Sequence, residues 1–75
     1  LEKMINLHPN PVKDVLTIDS KLKIIKVEIY SVLGKKVKEI YSDFEHIQTS
    51  GLFHGFYIVR ISTENAFIVK KIIIK

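Results

Sequence analysis

The sequence predicts an all-β domain, a small antiparallel sandwich or barrel, on three observations. Apolar residues recur with a period of two along short runs, and β-branched Ile and Val dominate those runs. Turn-forming residues separate the runs roughly every 8–12 positions. No segment keeps a 3.6-residue apolar stripe over several turns, so no helix longer than a single turn is expected.

The elements follow in order. Residues 1–7 read as a lead-in from a preceding domain. Pro9 and Pro11 then fix φ and bias His8 and Asn10 toward extended geometry. That entry segment is stiff and cannot join a central ladder. In Val15-Leu16-Thr17-Ile18, Leu16 and Ile18 share one face. Ile25, Val27 and Ile29 alternate with Lys26, Glu28 and Tyr30, the pattern of a half-buried strand. Ser31-Val32-Leu33-Gly34 predicts a turn closing on a left-handed glycine, joining that strand to a run over residues 36–41. Within the latter, Ile40 is out of phase with Val37, which points to a bulge or a register change. Gly51 and Gly55 bracket a loop whose Leu52 is expected to plug the core. Residues 56–62 are apolar on both faces, with Tyr57, Val59 and Ile61 on one side and Phe56 and Ile58 on the other, as in a central strand buried on both sides. In the final run, Phe67, Val69 and Ile73 face one way and Ile68, Ile72 and Ile74 the other. Glu64-Asn65 between these runs fits a two-residue hairpin, since Asn tolerates positive φ.

Seventy-five residues make one domain, near the lower limit for a self-supporting core. At this size burial only just offsets the ordering entropy, so most of the 47% apolar residues are expected inside. Little remains to line a substrate pocket, which argues against an enzyme. There is no cysteine, hence neither a disulfide framework nor a thiolate metal site. No apolar run reaches the roughly 18 residues of a membrane-spanning helix. No signal peptide is visible, and a start without Met reads as a piece excised from a longer chain.

The net charge of +4 comes from lysines spread along the chain, with Arg60 the single arginine. Nucleic-acid readers concentrate charge on one face and interleave stacking aromatics, so no nucleic-acid partner is expected. Lysine on strand edges also guards against edge-to-edge association.

The candidate chemistry is thin. His8, His46 and His54 match no compact metal motif. Ser31, Ser42, Ser50 and Ser62 lack a nucleophile-elbow context. The carboxylates Asp14, Asp19, Glu28, Glu39, Asp43, Glu45 and Glu64 read as turn or exposed strand residues, and Tyr57 as core. No catalytic, metal-binding or cofactor-binding set is assigned.

The order and spacing of four motifs carry a resemblance. These are His8-Pro9-Asn10-Pro11; Val27-x-Ile29-Tyr30-Ser31-x-x-Gly34-x-x-Val37; Leu52-Phe53-x-Gly55-x-Tyr57-x-Val59; and Lys70-Lys71-Ile72-Ile73. From about Ile5 to Lys75 the chain resembles the type A C-terminal sorting domain of cargo proteins exported by the type IX, or Por, secretion system of Bacteroidota. It departs where His8 replaces the family's Tyr, Phe53 its usual Pro, and Asn65-Ala66 its common Asn-Gly turn; these touch turns and no core position.

The resemblance implies an immunoglobulin-like β-sandwich of about seven short strands acting as a non-catalytic secretion signal. It implies a route through the periplasm to the surface or medium. The implied partners are the type IX translocon, a surface sortase, an upstream cargo domain, and anionic lipopolysaccharide. The residues expected to be read are Pro9, Asn10, Pro11, Gly34, Gly55, Lys70, Lys71 and Lys75. Exposed edge strands also fit a homodimer. The alternatives are an adhesion or carbohydrate-binding accessory module of a surface protein, which needs an exposed aromatic platform, and a structural spacer.

Overall fold

A computed structural model of the protein describes residues 4–75. It contains seven strands: β1 (Ile5–His8), β2 (Val15–Ser20), β3 (Ile24–Ser31), β4 (Lys36–Ile40), β5 (Ile47–Gln48), β6 (Gly55–Thr63) and β7 (Phe67–Ile74). They form two antiparallel sheets, β1-β2-β5 and β4-β3-β6-β7. The inner faces close over Ile5, Val12, Leu16, Ile18, Val27, Ile29, Ile47, Tyr57, Val59, Ile61, Ile68, Ile72 and Ile74. Period-two patterning produces this directly, because alternate side chains of each strand point into one shared core. Ile5 opens β1 and is buried, so residues 5–7 of the suggested lead-in are part of the sandwich.

The first strand does not stay in its sheet. β1 pairs with β2, and the His8–Pro11 segment then carries the chain across to the other sheet. There Val12 forms a parallel bridge with Ile74. The Val12 N–H donates to the Ile73 carbonyl at 2.7 Å, and the Lys75 N–H donates to the Val12 carbonyl at 2.8 Å. Proline suits this crossing, since it has no N–H to leave unpaired between the two sheets. Val12 itself is completely buried.

Two irregularities explain departures from simple alternation. Against β6, Ile24 pairs with Thr63 but Lys26 pairs with Ser62, so Ile25 is an extra residue and is 46% exposed. The expectation that Ile25 faces inward with Val27 and Ile29 is thereby corrected. Against β3, Lys38 lies opposite Ile29 and Lys36 opposite Tyr30, so Val37 is bulged. That bulge is the one the Val37–Ile40 mismatch predicts, and it lets both residues pack against the core.

The turns follow their sequences closely. Gly34 has φ +89°, its N–H donates to the Ser31 carbonyl at 2.9 Å, and the Ser31 N–H donates to the Lys35 carbonyl at 2.8 Å. The Glu64–Asn65 hairpin closes through the Thr63 N–H, which donates to the Ala66 carbonyl at 2.8 Å. The Thr63 hydroxyl donates to the same carbonyl at 3.1 Å. Asn65 does not use positive φ, which falls instead on Asp43.

Near the start of β6 the buried Tyr57 hydroxyl donates to the Phe53 carbonyl four residues upstream, at 2.7 Å. This is the tyrosine corner of immunoglobulin-like sandwiches, and the switch of the first strand between sheets fits the same architecture. Leu52 packs against the core beneath it, as expected.

Two consequences are measurable by thermal unfolding. Val12→Ala empties part of a fully buried site and should lower stability by about 2 kcal/mol, or roughly 8–16 °C in Tm for a domain of this size. Hydrogen exchange of the Lys75 amide should accelerate in parallel. Tyr57→Phe keeps the ring packed and removes one hydrogen bond, so it should cost only about 1 kcal/mol; no change in Tm would mean that the corner contributes nothing.

Candidate functional site

Strand direction gathers most of the sequence-predicted recognition residues at one end of the sandwich. β3 runs into the Gly34 turn, Ser31 lies opposite Tyr57, Gly55 lies opposite Ile74, and Val12 bridges to Ile74. Pro9, Asn10, Pro11, Gly34, Gly55 and Lys75 therefore share this end. Met4 lies at the opposite end, where its carbonyl accepts from the Lys21 N–H at 2.9 Å.

The two glycines are held by conformation. Gly55 has φ +143° and Gly34 φ +89°, while a Cβ at either would meet nothing within 4 Å. Beside them the turns display large apolar side chains: Val32 is 66% exposed, Leu33 93% and Phe53 88%. The sequence marks the turns flanking Gly34 and Gly55 as expected recognition elements but assigns these three side chains no role of their own. Their position between turn residues, rather than on a period-two face, was the available signal.

Lys70 and Lys71 are adjacent in sequence and separated in space. Lys70 lies opposite Val59 on the inner side of β7, at the crevice where Pro9 and Asn10 meet Ile72. Lys71 lies opposite Ile58 on the outer side, and its Nζ sits 4.8 Å from the centroid of the Phe56 ring. The Lys70-Lys71 pair thus presents no single doubly charged feature.

The outer face of the four-stranded sheet divides into two halves. On β3–β4 the charges satisfy one another. Glu28, only 5% exposed, is 3.0 Å from the Lys36 Nζ and 3.7 Å from the Lys26 Nζ, and it accepts from the Tyr30 hydroxyl at 3.0 Å. Lys36 also pairs with Glu39, which accepts from the Tyr41 hydroxyl. The Lys36 hydrogen bond is the leading cause that holds both carboxyls below their usual range. Lys36 is raised in return, first by Glu39 and then by Glu28, and the Glu39 contact raises Tyr41.

On β6–β7 the outer face is apolar and cationic. Phe56 is 49% exposed, Phe67 55% and Val69 48%, so the expectation that residues 56–62 are buried on both sides is corrected. Arg60 places its Cζ 4.2 Å from the centroid of the Phe67 ring.

Groups that could do chemistry are dispersed. His8 lies on β1 rather than in a loop, hydrogen-bonded to Asp19 at 2.7 Å. His46 is bonded to Asp43 at 2.9 Å, and that carboxylate raises its pKa. Among the described residues no three His, Asp or Glu side chains are grouped to hold a metal ion. A cavity of about 610 Å³ forms an open groove at the Met4 end, lined by Ile18, Leu22 and Phe44 together with Asp19, Asp43 and Glu45. No helix of the described residues is long and apolar enough to cross a membrane.

Fold and surface together define a class: a two-sheet antiparallel β-sandwich of the immunoglobulin-like kind, with apolar side chains exposed at its turns and on one sheet face. The family is specific. A family model described as a secretion system C-terminal sorting domain matches residues 6–75, and the chain belongs to this family, the sorting domains of type IX secretion. No curated protein matches the chain. Membership makes it a sorting signal of a secreted or surface-exposed protein, in a family that is non-catalytic in general, working with the type IX machinery and a cargo protein.

The charge network gives a pH dependence. Glu28 and Glu39 have folded-state pKa values below the ordinary 4.5, so their contribution is complete above pH 4.5 and is lost as pH falls through the lowered values. Urea midpoints measured against pH should fall on that acid limb. Glu28→Gln should flatten the limb, and an unchanged limb would exclude Glu28 as its source.

Proposed function

We propose that this domain is a folded address that routes its cargo through the type IX translocon, by way of the periplasm, to the surface or medium. The observation carrying this reading is the match over residues 6–75, joined to a topology that gathers six of the eight expected recognition residues at one end. That end, with Val32, Leu33 and Phe53 at its turns, is the part the machinery reads. A cargo domain preceding Met4 would be joined at the opposite end and leave it accessible. A surface sortase and anionic lipopolysaccharide are the finer partners implied by the route. A homodimer through the edge strands of the four-stranded sheet would have to use β4, which is short, bulged and lysine-bearing, or β7, which carries Lys70 and Lys71 and is bridged by Val12 near its end, so both edges of that sheet are guarded.

The adhesion or carbohydrate-binding alternative finds no support. Each exposed aromatic of the β6–β7 face already carries a cation near its ring, which leaves a poor platform for stacking a sugar.

The test is export. Leu1–Lys75 is placed behind a reporter with an ordinary signal peptide, in a type IX-competent strain and in a translocon-null strain. Reporter should reach the surface or medium only when the translocon is present. Folded reporter held in the periplasm of both strains would sink the reading.

A further inference from the structure

The outer face of β6–β7 is built like a surface that expects to be covered. Cross-strand pairing sets Phe56 against Ile73, Ile58 against Lys71, Arg60 against Val69 and Ser62 against Phe67. The result is a contiguous sheet face of five apolar side chains and two cations. Both strands have the near-continuous apolar sequence of strands buried on two sides, yet the sandwich covers only one. Half-exposed Phe56, Phe67 and Val69 contribute nothing to the core cluster that would explain their apolar character.

The charges of this face identify what would cover it. Neither β6 nor β7 contains a carboxylate. Among the described residues Arg60 and Lys71 make ring contacts but no salt bridge, and Arg60 Nε is buried without a hydrogen-bond acceptor. The neighbouring carboxylates Glu28 and Glu39 are committed to Lys36 and Lys26. A second copy laid face to face would oppose cation to cation with no compensating acid, which disfavours self-association.

We propose that the β6–β7 outer face, centred on Phe56, Arg60, Phe67, Val69 and Lys71, docks a protein of the secretion machinery through an apolar surface bearing carboxylates. This rests on the sorting reading and adds a lateral surface distinct from the turn-rich end. On contact the apolar side chains lose water, and the partner's carboxylates take Arg60 and Lys71 as ion-pair partners inside an interface where such pairs are strong.

The experiment uses the reporter fusion above with a photo-crosslinking residue at Val69 and, as control, at Asp19 on the other sheet. A second fusion carries Phe56→Thr, Phe67→Thr and Val69→Thr, which keep strand propensity, and a third carries Lys71→Glu. Circular dichroism and Tm of each purified domain establish folding. The proposal expects a translocon-dependent protein adduct from position 69 and not from 19. It also expects export reduced about tenfold or more by the triple variant, the scale of truncating interface aromatics, and a clear reduction by Lys71→Glu.

Wild-type export together with normal export of both folded variants and no adduct at 69 would overturn the face and leave the sorting reading intact. An adduct with lipid alone, or with the reporter alone, would overturn it too. If wild type itself is not exported, the sorting reading fails. The occupant proposed here then falls with it, whatever adduct position 69 gives, whereas normal wild-type export confines a failure to the face.

Discussion

The constraint on which the rest of the structure depends is the passage of the first strand from one sheet to the other. A two-layer sandwich of about 75 residues has little core to spare, and its open corners are where water would enter. β1 holds the edge of the three-stranded sheet, and four residues later Val12 holds the edge of the other. One short segment thus ties the two layers together and fixes the last residues of β7, with Ile72 and Ile74 driven into the core. Pro9 and Pro11 can occupy that crossing because neither has an amide proton to satisfy. The basic Lys70–Lys75 stretch is consequently part of the body of the fold, and its lysines are presented by strand geometry rather than by a loose tail.

That geometry also accounts for the motif residues that made the family legible. Gly34 and Gly55 occupy positive φ, Leu52 closes the core under a loop, and Tyr57 bonds back to the Phe53 carbonyl. Each is required by the backbone or the core before any partner is considered. The replacement of Pro by Phe53 is tolerated because the corner needs only the carbonyl of that residue, while its side chain stands in solvent. A signature of this kind specifies the fold, and recognition has to be carried by what the fold exposes.

Fold class, turn positions and most of the core were legible in the sequence because they depend on local period and turn chemistry. Leu16 with Ile18, Tyr57 with Val59 and Ile61, and Ile68 with Ile72 and Ile74 all point inward as alternation requires. Even the bulge at Val37 left a trace, in the mismatch with Ile40. Ile25 did not, because its exclusion arises only when Ile24 and Lys26 are paired with consecutive residues of β6. The candidate site was half legible. The shared end of the glycine and proline turns follows only once strand directions are known, and the separation of Lys70 from Lys71 only once β7 is seen as a strand with one face in the core.

The most consequential misreading concerns residues 56–62, and its cause is physical. An apolar run on both faces of a strand signals that both faces avoid water, but it does not say that the same chain provides both covers. Here the second cover is partial and comes from the strand pair itself. Lys71 lies near Phe56 and Arg60 near Phe67, each cation reaching diagonally across the ladder to the ring beside its partner. Long cationic side chains can shelter apolar surface with their stems while their heads stay wet. The arrangement lets the isolated domain carry an apolar sheet face in water, and among the described residues it leaves Arg60 and Lys71 without a salt bridge, since Glu28, opposite Arg60, is bridged to Lys36 and Lys26. Partial shelter by the cation stems is thus what allows a strand pair with apolar residues on both faces to stand at the surface of so small a sandwich.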